Sequence, residues 1–139
     1  MDSVVVKGFL FAVILIIAGF IDIKTRTIPD WIHILIILVA LIKIDLIESL
    51  VGLVVVPLPF FIMACLKENS IGGGDIKLVG ACGFFFGLNG GLFGSVIGLL
   101  IAVIANGIHC WIKTKDKNIG FALAPFLAGG NLIVLMIYN

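Results

Sequence analysis

The sequence predicts an all-α integral membrane protein with six transmembrane helices and both termini outside. Hydrophobic residues make up 62% of the 139-residue chain and charged residues only 12%. A typical soluble domain has about 45–50% hydrophobic and about 25% charged residues. The mean hydropathy of +1.32 leaves too little polar surface to cover a globule in water. Several apolar runs also approach or exceed the roughly 20 residues that a membrane-spanning helix needs. This composition excludes an ordinary soluble enzyme, a disordered chain and a nucleic-acid binder.

The first three helices are predicted from three apolar runs. Residues 4–21 form the first run, and no basic segment precedes it and no A-x-A cleavage site follows it, so we expect a retained helix and not a cleaved signal. Residues 31–42 form a second, shorter run. The third run, residues 46–66, contains Pro57 and Pro59 near its middle. Because proline removes a backbone donor and clashes with the preceding turn, we expect a kink there.

The next two helices are predicted from a single uncharged stretch, residues 78–112. As one straight helix these residues would span about 52 Å, which is too long for one crossing of a core about 30 Å thick. The sequence Leu-Asn-Gly-Gly at residues 88–91 is the turn signal in this stretch, so we divide it there. Residues 119–138 form the sixth run, and all of residues 1–139 are assigned to one membrane-embedded domain.

The distribution of basic residues predicts the orientation. With the loops placed alternately on the two sides, seven basic residues fall on one side and two on the other. Cytoplasmic loops carry the excess of Lys and Arg, so the richer side is assigned to the cytoplasm. The seven are Lys24, Arg26, Lys67, Lys77, Lys113, Lys115 and Lys117, and the two are Lys7 and Lys43.

Two acidic residues at membrane helix ends are the candidate functional residues. Asp22 closes the first helix, and Asp75 opens the fourth after three glycines, Gly72, Gly73 and Gly74. The predicted topology places both carboxylates on the cytoplasmic side. Ionisable residues at membrane depth are costly, so they indicate function.

The simplest alternative is that Asp75 only caps a helix and that Asp22 pairs with Lys24 or Arg26. Two features favour a shared site instead. The glycines allow conformational freedom and close backbone approach, which a cap does not need, and a second acid lies at the same depth. Two neighbouring carboxylates hold one proton between them. Such a pair can activate a water with its charged member and protonate a leaving amide with the other, which hydrolyses a peptide bond.

The residues around both acids resemble a known family. Asp22 is followed six residues later by Ile-Pro, and residues 72–78 read Gly-Gly-Gly-Asp-Ile-Lys-Leu. These segments resemble the two catalytic signatures of type IV prepilin peptidases, which are GxGD-class intramembrane aspartyl proteases. Residues 124–129, Ala-Pro-Phe-Leu-Ala-Gly, are similar to a C-terminal element of that family.

The resemblance implies a catalytic pair and a substrate, and the residues themselves indicate roles for the glycines and for three basic side chains. Asp22 and Asp75 would be the catalytic pair of an aspartic endopeptidase in the cell membrane. The substrate would be the leader of a type IV prepilin-like precursor, cut after a glycine at the cytoplasmic face. The glycines at 72–74 would let the substrate backbone lie against Asp75, while Lys24, Arg26 and Lys77 would contact lipid phosphates or tune the pair.

Two features depart from the family pattern. Asp30 stands where the family usually has Asn after the Ile-Pro. Larger bacterial members carry a cytoplasmic insertion with paired CxxC motifs and methylate the new N-terminus, and this chain has neither the insertion nor a CxxC. We therefore expect a catalytic core without a metal or other cofactor, and methyl transfer stays open.

Two other functions are compatible with the residues. In a small membrane transporter or channel, Asp22 and Asp75 would relay protons or cations. In a non-catalytic assembly subunit, neither acid would be needed. The expected partners are the prepilin-like substrate and membrane lipids, with no nucleic acid, and the oligomeric state is not predicted. His33 and His109 lie in apolar helices without a spaced partner, so we expect structural or interfacial roles for them.

Overall fold

The computed structural model describes residues 2–68, 71–112 and 122–138. Every regular element in these residues is an α-helix, as the sequence predicts. The six helices are α1 (Ser3–Thr25), α2 (Asp30–Ala40), α3 (Leu46–Val55), α4 (Leu58–Leu66), α5 (Gly73–Ile112) and α6 (Ala124–Tyr138). Three of the basic residues used to predict the orientation, Lys113, Lys115 and Lys117, lie outside the described residues.

Three helical stretches in the described part of the chain are long and apolar enough to cross a membrane. They are Ser3–Thr25, Leu46–Leu66 and Gly73–His109, whereas α2 and α6 are shorter apolar helices. Large apolar side chains on these helices face outward, among them Phe9, Ile47 and Trp111, which are 68%, 76% and 84% exposed. A surface of this kind suits lipid and not water, so the fold is that of a membrane protein. The six crossings and the location of the termini stay predictions.

The third apolar run is interrupted where the prolines stand. α3 ends at Val55, Pro57 precedes the first residue of α4, and Pro59 lies in the first turn of α4. Proline is tolerated at the start of a helix because the backbone N–H that it lacks has no intrahelical partner there. The interruption expected near the middle of this run is therefore present.

α5 folds back on itself at Gly87. This residue has φ 79° and ψ −172°, a conformation that is available essentially to glycine alone. A Cβ placed on Gly91 would lie 2.7 Å from the Cα of Gly83, although residues eight apart in a straight helix are about 12 Å apart. The sequence-based division of this stretch at residues 88–91 is thus corrected to Gly87, because those four residues are helical and Gly87 makes the turn.

The helices bring the end of α1 to the beginning of α5. α1 packs against α2 and α6, and both of these pack against α5, which also carries α3 on another face. Phe11 of α1 stacks on Phe85 of α5 with ring centroids 3.8 Å apart. Most of the fully buried core side chains come from α1, α2, α5 and α6, among them Leu15, Ile32, Leu78 and Leu127, and Val56 adds one from the junction of α3 and α4.

Candidate active site

Asp22 and Asp75 line the same cavity, which has a volume of about 270 Å³. Asp22 belongs to the last turn of α1, and Asp75 belongs to the first turn of α5. The described residues that complete the lining are Arg26, Thr27, Ile28 and the three glycines Gly72, Gly73 and Gly74. The structure therefore brings together both acids and all three glycines that the sequence indicates.

Asp22 is held by the beginning of α6. Its side chain is buried, and its Oδ2 accepts a hydrogen bond of 3.1 Å from the backbone N–H of Ala124. Ala124 is the first residue of α6, where backbone N–H groups have no partner within the helix and the helix dipole favours a carboxylate. A Cβ on Gly19 would lie 3.3 Å from the Cα of Pro125, so the glycine at position 19 lets α6 approach one turn before Asp22.

The carboxylate of Asp75 has one oxygen that can still accept a hydrogen bond. Its Oδ1 is buried and has no hydrogen-bond partner among the described residues. A buried acceptor without a partner is unfavourable, so this oxygen is suited to take a hydrogen bond from a water or from a substrate group. The cavity thus combines Asp22, whose Oδ2 is bonded to the backbone of α6, with Asp75, whose Oδ1 can act on a molecule in the cavity.

The three glycines before Asp75 differ in their surroundings. A Cβ on Gly72 would lie 3.2 Å from the Oδ2 of Asp75, and a Cβ on Gly74 would lie 3.3 Å from the Cβ of Ile28, whereas a Cβ on Gly73 would meet nothing within 4 Å. None of the three has a positive φ. A positive φ is therefore not what these glycines provide, whereas the predicted close approach of another backbone is present at Gly74, where a Cβ would lie 3.5 Å from the backbone nitrogen of Ile28.

The basic residues divide between the cavity and other contacts. Of Lys24, Arg26 and Lys77, only Arg26 lines the cavity with the two acids. Lys77 donates a 3.0 Å hydrogen bond to the Oδ1 of Asp30, and Lys24 lies over the ring of Phe20, 4.9 Å from its centroid.

Asp30, the residue that departs from the family pattern, is outside this cavity. Its side chain is 73% exposed and is paired with Lys77, so it does not replace Asp22 as the partner of Asp75. Asp30 instead lines a second cavity of about 440 Å³ with Lys77, His33 and apolar residues of α2, α3 and α5.

Three residues in or beside the cavity make contacts that the sequence did not predict. Ala124 binds Asp22, Ile28 packs against Gly74, and the Nε2 of His33 lies 3.1 Å from the carbonyl oxygen of Gly74. The resemblance marked Ala124 and Ile28 as motif members without giving them these contacts. For His33 the available signal was a polar residue in an otherwise apolar helix, three positions after Asp30.

The side chains that line the cavity are suited to proton transfer. In the described part of the chain no group of three or more His, Cys, Asp or Glu side chains is placed to hold a metal ion. What the arrangement offers is two carboxylates, one guanidinium, and backbone groups exposed by glycine. Such a pair can exchange protons with a water or a substrate in the cavity.

Comparison with known proteins gives one family. The sequence model of the type IV leader peptidase family matches residues 9–111, a range that includes both acids and the three glycines. Neither the curated proteins nor the solved structures contain a match. The matched residues make up about three quarters of the sequence. The chain therefore belongs to the type IV leader peptidase family.

Proposed function

We propose that this protein is a membrane aspartic endopeptidase that removes the leader of type IV prepilin-like precursors after a glycine, at the cytoplasmic face. One observation carries the proposal: Asp22 and Asp75 line one cavity together with Gly72, Gly73 and Gly74. Membership of a leader peptidase family supports hydrolysis of a peptide bond as the reaction. The two carboxylates supply the acid and the base that this reaction needs.

In the proposed mechanism the pair holds one proton. The charged carboxylate accepts a proton from a water, and the resulting hydroxide attacks the carbonyl carbon of the scissile peptide bond. The protonated carboxyl then donates its proton to the leaving nitrogen, and the carbon–nitrogen bond breaks. After product release the pair again holds one proton, so no metal and no covalent intermediate enters the cycle.

The surroundings of the pair fit a peptide substrate. Gly73 lines the cavity, and the space beside its Cα is open, so an extended backbone can lie next to Asp75 without meeting a side chain. Arg26 lines the same cavity and can stabilise negative charge on the oxygen of the tetrahedral intermediate. The apolar helix of a precursor would approach through the lipid and present its cut site at the membrane edge.

Co-expression with a pilin-like precursor tests the proposal. We expect the wild-type protein to shorten the precursor, with mass spectrometry locating the new N-terminus directly after the glycine. A precursor in which that glycine is replaced by Leu serves as the matched control and is expected to stay uncut. An uncut wild-type precursor, together with ion-dependent uptake into vesicles that contain the protein, would instead support the transporter function.

A further inference from the structure

His33 connects α2 to the residue that precedes Asp75. Its side chain is buried, and its Nε2 lies 3.1 Å from the carbonyl oxygen of Gly74. A carbonyl oxygen only accepts hydrogen bonds, so Nε2 carries a proton and donates it. The other ring nitrogen, Nδ1, has no hydrogen-bond partner among the described residues. The hydrogen bond from Nε2 therefore ends one residue before the proposed catalytic acid.

Gly74 is held from two sides. Besides the hydrogen bond from His33, the absent side chain of Gly74 leaves room for Ile28, whose Cβ would lie 3.3 Å from a Cβ at position 74. Ile28 and His33 both belong to the segment that follows Asp22 along the chain. The segment that follows Asp22 along the chain thus holds the backbone immediately before Asp75 in place, through Ile28 and His33.

The neighbouring carboxylate of Asp30 is not hydrogen-bonded to the imidazole of His33. The Oδ1 of Asp30 lies 3.9 Å from the Nδ1 of His33, which is too long for a hydrogen bond, and the same oxygen accepts the 3.0 Å bond from Lys77. His33 lines the second cavity and not the cavity of the two acids. Its contact with the reaction would therefore be indirect.

We propose that His33 is a positioning residue: its Nε2–H bond to the Gly74 carbonyl holds the first turn of α5 against α2 and fixes the Asp75 carboxylate in the cavity that Asp22 also lines. The proposal deepens the proposed function and rests on it for its effect on catalysis. Misplacement of a reacting group by about 1 Å lowers the rate of a reaction by as much as about 100-fold. His33 would thus control the turnover step without touching the substrate.

Three substitutions separate positioning from general stability. His33→Leu removes the donor and puts an apolar side chain of similar bulk in its place, and we expect kcat to fall about 10- to 100-fold with KM near the wild-type value. His33→Gln places an amide N–H where Nε2 lies and is expected to restore most of kcat. His33→Asn places its amide near the position of Nδ1, too short to reach Gly74, and is expected to resemble His33→Leu.

The Gln and Asn variants decide the question even if the Leu variant fails to accumulate. Both keep a polar amide, and only the longer one can reach the carbonyl. Equal kcat values for His33→Gln and His33→Asn would overturn the proposal, as would a loss confined to KM.

A second measurement is independent of peptidase activity. Asp22→Cys and Asp75→Cys are combined in a protein whose Cys65, Cys82 and Cys110 are replaced by Ala, and a short bifunctional thiol reagent is added. We expect efficient cross-linking with His33 present and a lower yield when His33→Leu is added. An unchanged yield, or no cross-link in either protein, would contradict the positioning role. If the wild-type protein cuts no precursor but the yield depends on His33, the proposed function fails while the positioning role of His33 stands.

Discussion

The backbone N–H of Ala124 donates a 3.1 Å hydrogen bond to the Oδ2 of Asp22, so the first residue of α6 binds an acid in the last turn of α1. The two residues are 102 positions apart in the chain. Both are buried, and the bond satisfies a donor that the helix itself leaves free. Asp22 therefore has a structural role in joining α1 to α6 in addition to the chemical role that we propose.

This double role predicts different outcomes for two substitutions of Asp22. The side-chain carbonyl of Asn still accepts the Ala124 N–H, so Asp22→Asn should accumulate and unfold like the wild-type protein. Asp22→Ala leaves a buried N–H without a partner, which costs about 1–3 kcal/mol. We expect a lower midpoint in thermal unfolding in detergent for Asp22→Ala alone, and equal midpoints for both variants would show that the bond is unimportant.

The surroundings of Gly73 and Gly74 predict different kinetic effects when each is replaced by Ala. Gly73→Ala adds a methyl group to open space in the cavity, so we expect normal accumulation but a raised KM because the methyl group occupies the path of the substrate backbone. Gly74→Ala forces the methyl group toward Ile28, so we expect a lower kcat and a lower yield of the cross-link between positions 22 and 75. Steady-state cleavage of a precursor measures both constants. A KM for Gly73→Ala equal to that of the wild-type protein would contradict the proposal that the substrate backbone lies beside Gly73.

The fold-back of α5 predicts a specific loss of stability. Gly87→Ala places a side chain at φ 79°, ψ −172° and toward Glu48, whose Oε2 would lie 3.2 Å from the new Cβ. We expect destabilisation of about 1–3 kcal/mol. Gly129→Ala is the matched control, since a Cβ there meets nothing within 4 Å. Similar unfolding midpoints for the two variants would argue against the turn at Gly87.

The predicted orientation is tested with single cysteines in the protein that lacks Cys65, Cys82 and Cys110. Glu68 and Lys43 are both exposed and lie at opposite ends of the Leu46–Leu66 stretch. Because the basic residues predict a cytoplasmic location for residue 68, Glu68→Cys should react with an impermeant thiol reagent only after the membrane is opened, whereas Lys43→Cys should react in intact cells. Labelling of position 68 from outside would place the site on the wrong face for a prepilin leader.

Much of this fold is readable from local patterns. The apolar runs predicted α1, α2 and the interrupted stretch α3–α4, because length and proline act locally along the chain. The turn in α5 was placed one residue late, since Asn-Gly-Gly at residues 89–91 is the stronger turn sequence and yet lies in helix, while Gly87 adopts the positive φ.

The candidate active site could be predicted from the sequence only in part. Asp22, Asp75 and the glycines were indicated by residue type and spacing, and they do line one cavity. The contacts of Ala124 with Asp22 and of His33 with Gly74 join residues 102 and 41 positions apart. Such contacts depend on how α6 and α2 pack against α1 and α5, and no local pattern in one sequence encodes that packing.

Isosteric replacement of each acid tests the central claim most directly. Purified wild-type protein and the variants Asp22→Asn, Asp75→Asn and Asp30→Asn are incubated with a pilin-like precursor in lipid, and mass spectrometry measures the cut product. Under the proposed mechanism we expect no product from Asp22→Asn or Asp75→Asn, because each lacks one member of the acid–base pair, and nearly wild-type product from Asp30→Asn, whose exposed side chain lies outside the cavity. Cleavage by either of the first two variants at the wild-type rate, or loss of cleavage in Asp30→Asn alone, would contradict it.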